Sequence, residues 1–488
     1  MLFNSLAFLA FFPCVLLLYY ALPFRFRKYM LLLASYYFYM CWKPEFIVLI
    51  LFSTLVDYCC GLGMVRWPKR KKWLLAVSLT MNLGLLFFFK YLNFFGETLT
   101  ALCRAVSIPF SAPALNIILP VGISFYTFQT LSYTLDVYKG KLEPEKNFVT
   151  FALFVSFFPQ LVAGPIEKAS NLLPQLKAER PFDYRDVTWG AKLMVWGFFK
   201  KMVVADQLAV LIVDPVYLNL KDYQGGVLVL ATFAFAFQIY CDFGGYSDIA
   251  RGCAKMMGID LMVNFKSPYF FSHSIGNYWQ RNHISLSRWF TEYVYIPLGG
   301  SRKGRVKQVW FTTVTFFLSG LWHGAEWSFV IWGLLQAVYL NLERAFHRAK
   351  EPPKSPPLHL LAILTTFCLS CFSLIFFRAA NIGEALYVVR NTLWDIGSPA
   401  LYVKTLLTNL TGLEALNLGV REAVFVLGAL LLLFLFDLAD EKTDAIALVS
   451  SWPAAIRWGC YLGLVMIVLI FGVYGPGYDV RAFTYFQF

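Results

Sequence analysis

Charge is scarce in this chain: 15% of its 488 residues are Asp, Glu, Lys or Arg, against 59% hydrophobic and 18% aromatic. A water-soluble core of that length cannot hide so much apolar surface, which excludes the ordinary soluble classes and makes lipid the solvent. No polar stretch large enough for a soluble domain separates the apolar runs, which recur near 6–22, 46–55, 74–89, 227–239, 423–436 and 461–473. Several approach the ~20 residues that a spanning helix needs. The first run lacks a basic leader before it and a small-x-small cleavage pattern after it, so it reads as a retained helix.

Other absences narrow the chemistry. The ten cysteines lie scattered, mostly inside apolar runs, with no disulfide-like spacing. Neither H-x-x-x-H nor H-E-x-x-H occurs among the five histidines, so no metal site is expected. No G-x-S-x-G elbow and no phosphate-cradling glycine loop is present, which argues against a serine hydrolase and against an ATP-driven pump. The net charge of +13 is explained by an excess of Lys and Arg in cytoplasmic loops, with no need for a nucleic-acid partner.

What is present sets a topology. Basic clusters at Arg25, Arg27 and Lys28, at Arg66 with Lys69 to Lys72, and at Lys139, Lys141 and Lys146 are each separated by two apolar spans. Placing them in the cytoplasm puts the N-terminus outside and predicts helices near 2–22, 29–42, 45–64, 73–95 and 115–137. The stretch 148–163, broken by Pro159 and followed by basic residues, reads either as a re-entrant hairpin lining a pathway or as a simple kinked helix. Helices near 189–213 and 226–241 then leave 242–307 on the cytoplasmic side, with nine Lys and Arg interleaved with tryptophan and tyrosine. Between Lys307 and Arg344 the only charged groups are Glu326 and, beside Arg344 itself, Glu343, so this segment enters and returns on one side, with its turn near 319–325. Spans near 358–378, 421–440 and 455–474 put the C-terminus outside, followed by an aromatic tail at 475–488. The expected architecture is all-α and polytopic, with about a dozen membrane segments around a polar tunnel. It is a single membrane domain, divided into N-terminal helices (1–140), a motif-bearing core (148–345) and C-terminal helices (358–488).

Two histidines stand out. His347 and His359 flank a basic loop and His273 sits in an interfacial stretch, whereas His323 lies between Trp322 and Gly324 in an apolar run. An ionisable group at membrane depth marks a functional site, or else a helix-packing histidine bonded to a neighbouring carbonyl or hydroxyl. His283 lies in a donor-rich segment with Trp279, Arg281, Asn282, Ser285 and Ser287, which lines a polar opening or floats at the interface. Without a metal, a buried neutral imidazole is suited to taking the proton of a hydroxyl as it attacks a thioester carbonyl, which is O-acylation. In 242–248 (DFGGYSD) the glycines suggest a turn, with Ser247 and Asp248 capping a helix that begins near Ile249. Asp242 is the carboxylate better placed to line a cavity.

At these residues the chain resembles the membrane-bound O-acyltransferase family, in its bacterial branch of alginate O-acetylases. The resemblance rests on 240–248 (YCDFGGYSD), on 277–287 continuing to 295–300 (YIPLGG), on 319–324 (SGLWHG) and on 157–165 (FFPQLVAGP), in family order. It implies an acyltransferase with His323 as the catalytic histidine and His283 as a second functional histidine near the cytoplasmic mouth of a tunnel. Trp279, Arg281, Asn282, Ser285, Trp322 and Asp242 are expected to line it. The implied donor is a cytoplasmic thioester, acetyl-CoA. The implied partners are the lipid bilayer, a polysaccharide acceptor such as alginate and an extracytoplasmic SGNH-like acetyltransferase. Gln280 and Asn282 depart from the family's commoner W-R-R-W-H at the inner opening. The competing readings are a D-alanyl transferase of teichoic acid synthesis fed by a carrier protein, and a transporter that does no chemistry.

Overall fold

The computed structural model describes residues 1–346, 352–392, 416 and 418–474. His347 and the tail 475–488 lie outside the described residues, as does most of the loop expected at 379–420. Every regular element among the described residues is helical. Six helices among the described residues are long and apolar enough to cross a membrane: Pro44–Arg66, Pro68–Ala105, Gly226–Met256, Pro356–Arg378, Val420–Lys442 and Ala454–Phe471, with the shorter apolar Leu6–Ala21 beside this set. The chain is a multi-pass membrane protein.

The Val420–Lys442 helix shows how the sequence sorts its faces. Ala429, Leu433 and Asp437, spaced by four, are buried, while Val424, Leu427, Leu431 and Leu435 are exposed along the opposite stripe. An exposed stripe of leucine is costly in water and costs nothing in lipid, so it marks the face turned to the bilayer.

The backbone groups into two compact units, one of Met1–Ala191 with Ala250–Met262 and the other of Lys192–Ile249 with Val263–Phe488. In the first unit, the stretch expected as a hairpin or kinked helix is interrupted: helix Phe148–Ser156 ends before Phe157 and a single turn, Phe158–Leu161, follows. A nine-residue helix rises only about 14 Å, too short to cross a bilayer. Further along, Glu167 is fully buried, accepting hydrogen bonds from the Met262 amide and from Asn171 Nδ2 (2.8 Å). Burial pushes its carboxyl up to about 7.

In the second unit, Arg305–His323 and Trp327–Ala345 form a helical hairpin turning through Gly324 to Glu326. The two helices approach closely because glycine faces backbone at their crossing. A Cβ on Gly320 would lie 2.4 Å from the Phe329 carbonyl oxygen, and one on Gly333 would lie 2.3 Å from that of Phe316. That contact fixes the end of the first helix, which carries His323.

One local expectation is overturned. Residues 242–248 are not a turn: helix Gly226–Met256 runs through them unbroken for 31 residues. The glycines serve packing. A Cβ on Gly245 would stand 2.7 Å from the Gly197 carbonyl oxygen and 2.9 Å from the Lys201 amide, so glycine is what lets this helix meet its neighbour. Ser247 and Asp248 are therefore not caps. Ser247 Oγ accepts from Asn264 Nδ2 (3.3 Å), and Asp248 pairs with Lys200.

Candidate active site

The site lies wholly within the second unit. His323 is the last residue of its helix and His283 immediately precedes the short helix Ile284–Phe290. Far apart in sequence, they come together: their ring centroids stand 6.1 Å apart at 67°. Both are buried, with 2% of His283 and 6% of His323 exposed. They line one small cavity of about 30 Å³, walled by Trp279, Asn282, Phe243, Tyr269, Trp332 and Phe377 among others. That is room for roughly one or two waters. Trp332 and Phe377 hold the His323 ring edge-on, at 4.9 and 5.3 Å between centroids.

His283 sits in left-handed backbone, φ 45° and ψ 54°. For a residue with a Cβ this conformation costs on the order of 1–3 kcal/mol and persists only where surrounding bonds over-determine it. Those bonds come from a short extended pairing. The Lys266 amide donates to the Arg281 carbonyl (2.9 Å) and the Ile284 amide to the Asn264 carbonyl (2.9 Å). Asn264 Oδ1 accepts from the Ser285 amide (3.1 Å) and from Ser285 Oγ (2.9 Å). The first amides of the Ile284–Phe290 helix are thus satisfied from outside the helix, in place of an ordinary side-chain cap. Among the described residues no acid lines the cavity, and burial pushes the His283 imidazole down to about 3. It is neutral at any physiological pH.

The remaining expected residues divide. Trp279 and Asn282 line the cavity with the histidines, and Trp322 packs beside it, its ring 5.8 Å from His283 and 5.0 Å from His323. Ser285 holds the backbone through Asn264 and is not a wall residue. Arg281 forks onto Glu441, with Nη1 to Oε2 at 2.7 Å and Nη2 to Oε1 at 2.5 Å, and Asp242 pairs with Lys201 at 2.6 Å. Neither side chain lines the cavity. Lys201 also binds Asp206 (2.8 Å), and with the Lys200–Asp248 pair this makes a buried ionic cluster on a widened helical turn, Phe199–Ala205.

A second cavity, of about 510 Å³, adjoins the first through a shared wall, Trp279. Thr312, Thr315 and Ser319 line it on the face of the histidine helix that leads, one turn further, to His323, and Arg288 and Arg344 stand among its other walls. Trp279 is held in place by its indole N–H, which donates to Gln336 Oε1 (3.2 Å), and Gln336 Nε2 donates to Ser373 Oγ (2.7 Å). Sequence reasoning missed Asn264, Gln336, Trp332 and Phe377, because their place in the site arises from long-range packing and not from a local motif.

Two buried histidines thus line one small cavity that adjoins a larger one. The model of the membrane-bound O-acyltransferase family matches residues 144–381, which include both histidines. A probable alginate O-acetylase of Pseudomonas putida is 39% identical over 391 residues, covering 79% of each chain. This chain belongs to the membrane-bound O-acyltransferase family. The acyltransferase is also similar to a peptidoglycan O-acetyltransferase of Helicobacter pylori, 34% identical over 393 residues, covering 75% of this chain and 73% of that one. More distant is a teichoic acid D-alanyltransferase of Bacillus subtilis, 28% identical over 279 residues, covering 54% of this chain and 70% of that one. The enzyme is thus a multi-pass membrane O-acyltransferase.

Proposed function

We propose that this acyltransferase moves an acetyl group from cytoplasmic acetyl-CoA to a hydroxyl on the far side of the inner membrane, for O-acetylation of an envelope or extracellular polysaccharide such as alginate. The acceptor hydroxyl belongs to the polymer itself or to an extracytoplasmic SGNH-like partner that carries the acetyl group onward. The observation that carries this reading is the pair His283 and His323 lining one buried cavity that shares Trp279 with a larger one.

The larger cavity suits an extended pantetheine arm. Thr312 lies eleven residues before His323 on one helix, roughly 16 Å along its axis, and Arg344 Nη1 donates to Thr312 Oγ1 (2.8 Å) at that far end. Arg288 and Arg344 would receive the donor's phosphates there. The thioester would reach His323 past Trp279. The imidazole of His323 takes the hydroxyl proton as the oxygen attacks the thioester carbonyl, the new C–O bond forms, the C–S bond breaks, and the thiolate leaves and recovers the proton. His283, neutral and fixed, orients the reacting group. The positive-inside placement of the basic loops puts both termini outside and the donor side in the cytoplasm.

Inside-out vesicles test this reading. Labelled acetyl-CoA added to the exposed cytoplasmic face should deliver label to hydroxyls inside the lumen in wild-type vesicles and not in His323→Ala vesicles. Equal luminal labelling in both would overturn the assignment of His323.

A further inference from the structure

We infer that Asn264 is a positioning residue that sets which nitrogen of His283 carries the proton, so that Nδ1–H faces Asn264 and the lone pair of Nε2 is directed away from it. The inference rests on the proposed role of the histidine pair and adds to it a residue and a protonation pattern.

The argument starts from a backbone amide, which can only donate. The Ser285 amide lies 3.1 Å from the Asn264 side-chain atom assigned as Oδ1, so that atom is the oxygen, and the opposite end of the same side chain, Nδ2, donates to Ser247 Oγ (3.3 Å). The amide orientation is therefore set at both ends. His283 Nδ1 lies 3.3 Å from this same Oδ1. A lone pair on Nδ1 would face an acceptor that already draws two donors to itself, so Nδ1 carries hydrogen. In a neutral imidazole, Nε2 is then the basic nitrogen.

The surroundings support a neutral ring. Phe243 meets it edge-on at 4.6 Å and Phe265 lies stacked at 6.2 Å. The titratable groups facing the shared cavity are His323 from the Arg305–His323 helix and the phenols of Tyr269 and Tyr278. Asp242, next to Phe243 on its helix, is engaged with Lys201. The Pro356–Arg378 helix contributes only Leu374 and Phe377. Asn264 also holds the Ile284 and Ser285 amides, so a single residue fixes the left-handed backbone, the ring plane and the tautomer of His283.

The experiment uses the full chain in lipid, labelled with nitrogen-15 only in histidine. With five histidines, the His283 signals are assigned by difference from His283→Gln. Between about pH 5 and pH 8 the wild type should show a protonated Nδ1 and an unprotonated Nε2 at His283. A proton on Nε2, or an imidazolium, would overturn the inference. Asn264→Asp keeps the oxygen that accepts from Ser285 but adds a negative charge beside Nδ1. It should raise the proton affinity of His283 and move the pH at which its ring becomes an imidazolium, read from the same nitrogen-15 signals, up by about 1–3 pH units. A purely structural role predicts no such movement, and that outcome also counts against the inference. If the tautomer is found but His283→Gln transfers acetyl at the wild-type rate, the reading of His283 as functional fails while the role of Asn264 stands.

Discussion

The rings of His283 and His323 face each other across 6.1 Å in a cavity that no carboxylate among the described residues lines. A general base and an orienting ring do different work, so conservative loss of either ring should be felt differently. His323→Gln should lower kcat by about 10²–10⁴-fold, the range of a general base, with little change in KM. His283→Gln should change kcat and KM together, because the ring orients a bound group. Steady-state acetyl transfer in proteoliposomes separates the two.

Trp279 walls both cavities, and its indole is tethered to Gln336. Trp279→Ala should join the two spaces and relax selection for a short acyl chain. Butyryl-CoA should be a poor donor for the wild type and gain at least several-fold in kcat/KM relative to acetyl-CoA in the variant. An unchanged ratio would mean that chain length is read elsewhere.

Lys201 bridges Asp242 and Asp206 in a buried cluster. Replacing it with methionine leaves two buried carboxylates without their cation, which costs roughly 3–5 kcal/mol. Thermal unfolding in micelles should show Lys201→Met strongly destabilised, and adding Asp242→Asn should recover part of the loss. Asp242→Asn alone should leave the acetyl-transfer rate within a few-fold of wild type, since its carboxylate faces Lys201 and not the histidines.

The buried His283 imidazole sets a pH dependence of stability. Its proton affinity in the folded protein is pushed from the usual value near 6.5 down to about 3, so between these values the unfolded chain binds a proton that the folded chain does not. Stability is flat above about pH 6.5 and falls as the pH drops toward 3, by a few kcal/mol at most on this residue's account. Melting curves of the wild type and His283→Gln should coincide in slope above pH 6.5 and diverge below it, with the variant less acid-sensitive.

How much of this was legible in the sequence varies from element to element. The scarcity of charge between Lys307 and Arg344 was enough to foresee a hairpin with His323 at its turn, because burying charge in lipid is costly and length does the rest. The helix through 242–248 was misread because a Gly-Gly pair signals a turn in water, whereas between membrane helices it signals close packing, as the contact of Gly245 with Gly197 shows. Arg281 and Asp242 were expected to line the tunnel and instead pair with Glu441 and Lys201, which are distant in sequence, so no local pattern points to them. Asn264 lay outside the reading for the same reason: its importance comes from pairing 264–266 with 281–284, a register that only the folded chain reveals.

The most direct test of the central claim follows the thioester itself. Purified enzyme in lipid is incubated with acetyl-CoA labelled in the acetyl group, with a candidate acceptor present, and free thiol and transferred label are measured for wild type and His323→Gln. The account predicts that thiol release and label transfer rise together in the wild type and fall together by at least about 100-fold in the variant. Thiol release and transfer at the same rate without His323 would contradict it, and an inert acetyl-CoA alongside an active carrier-bound acyl group would contradict the proposed donor.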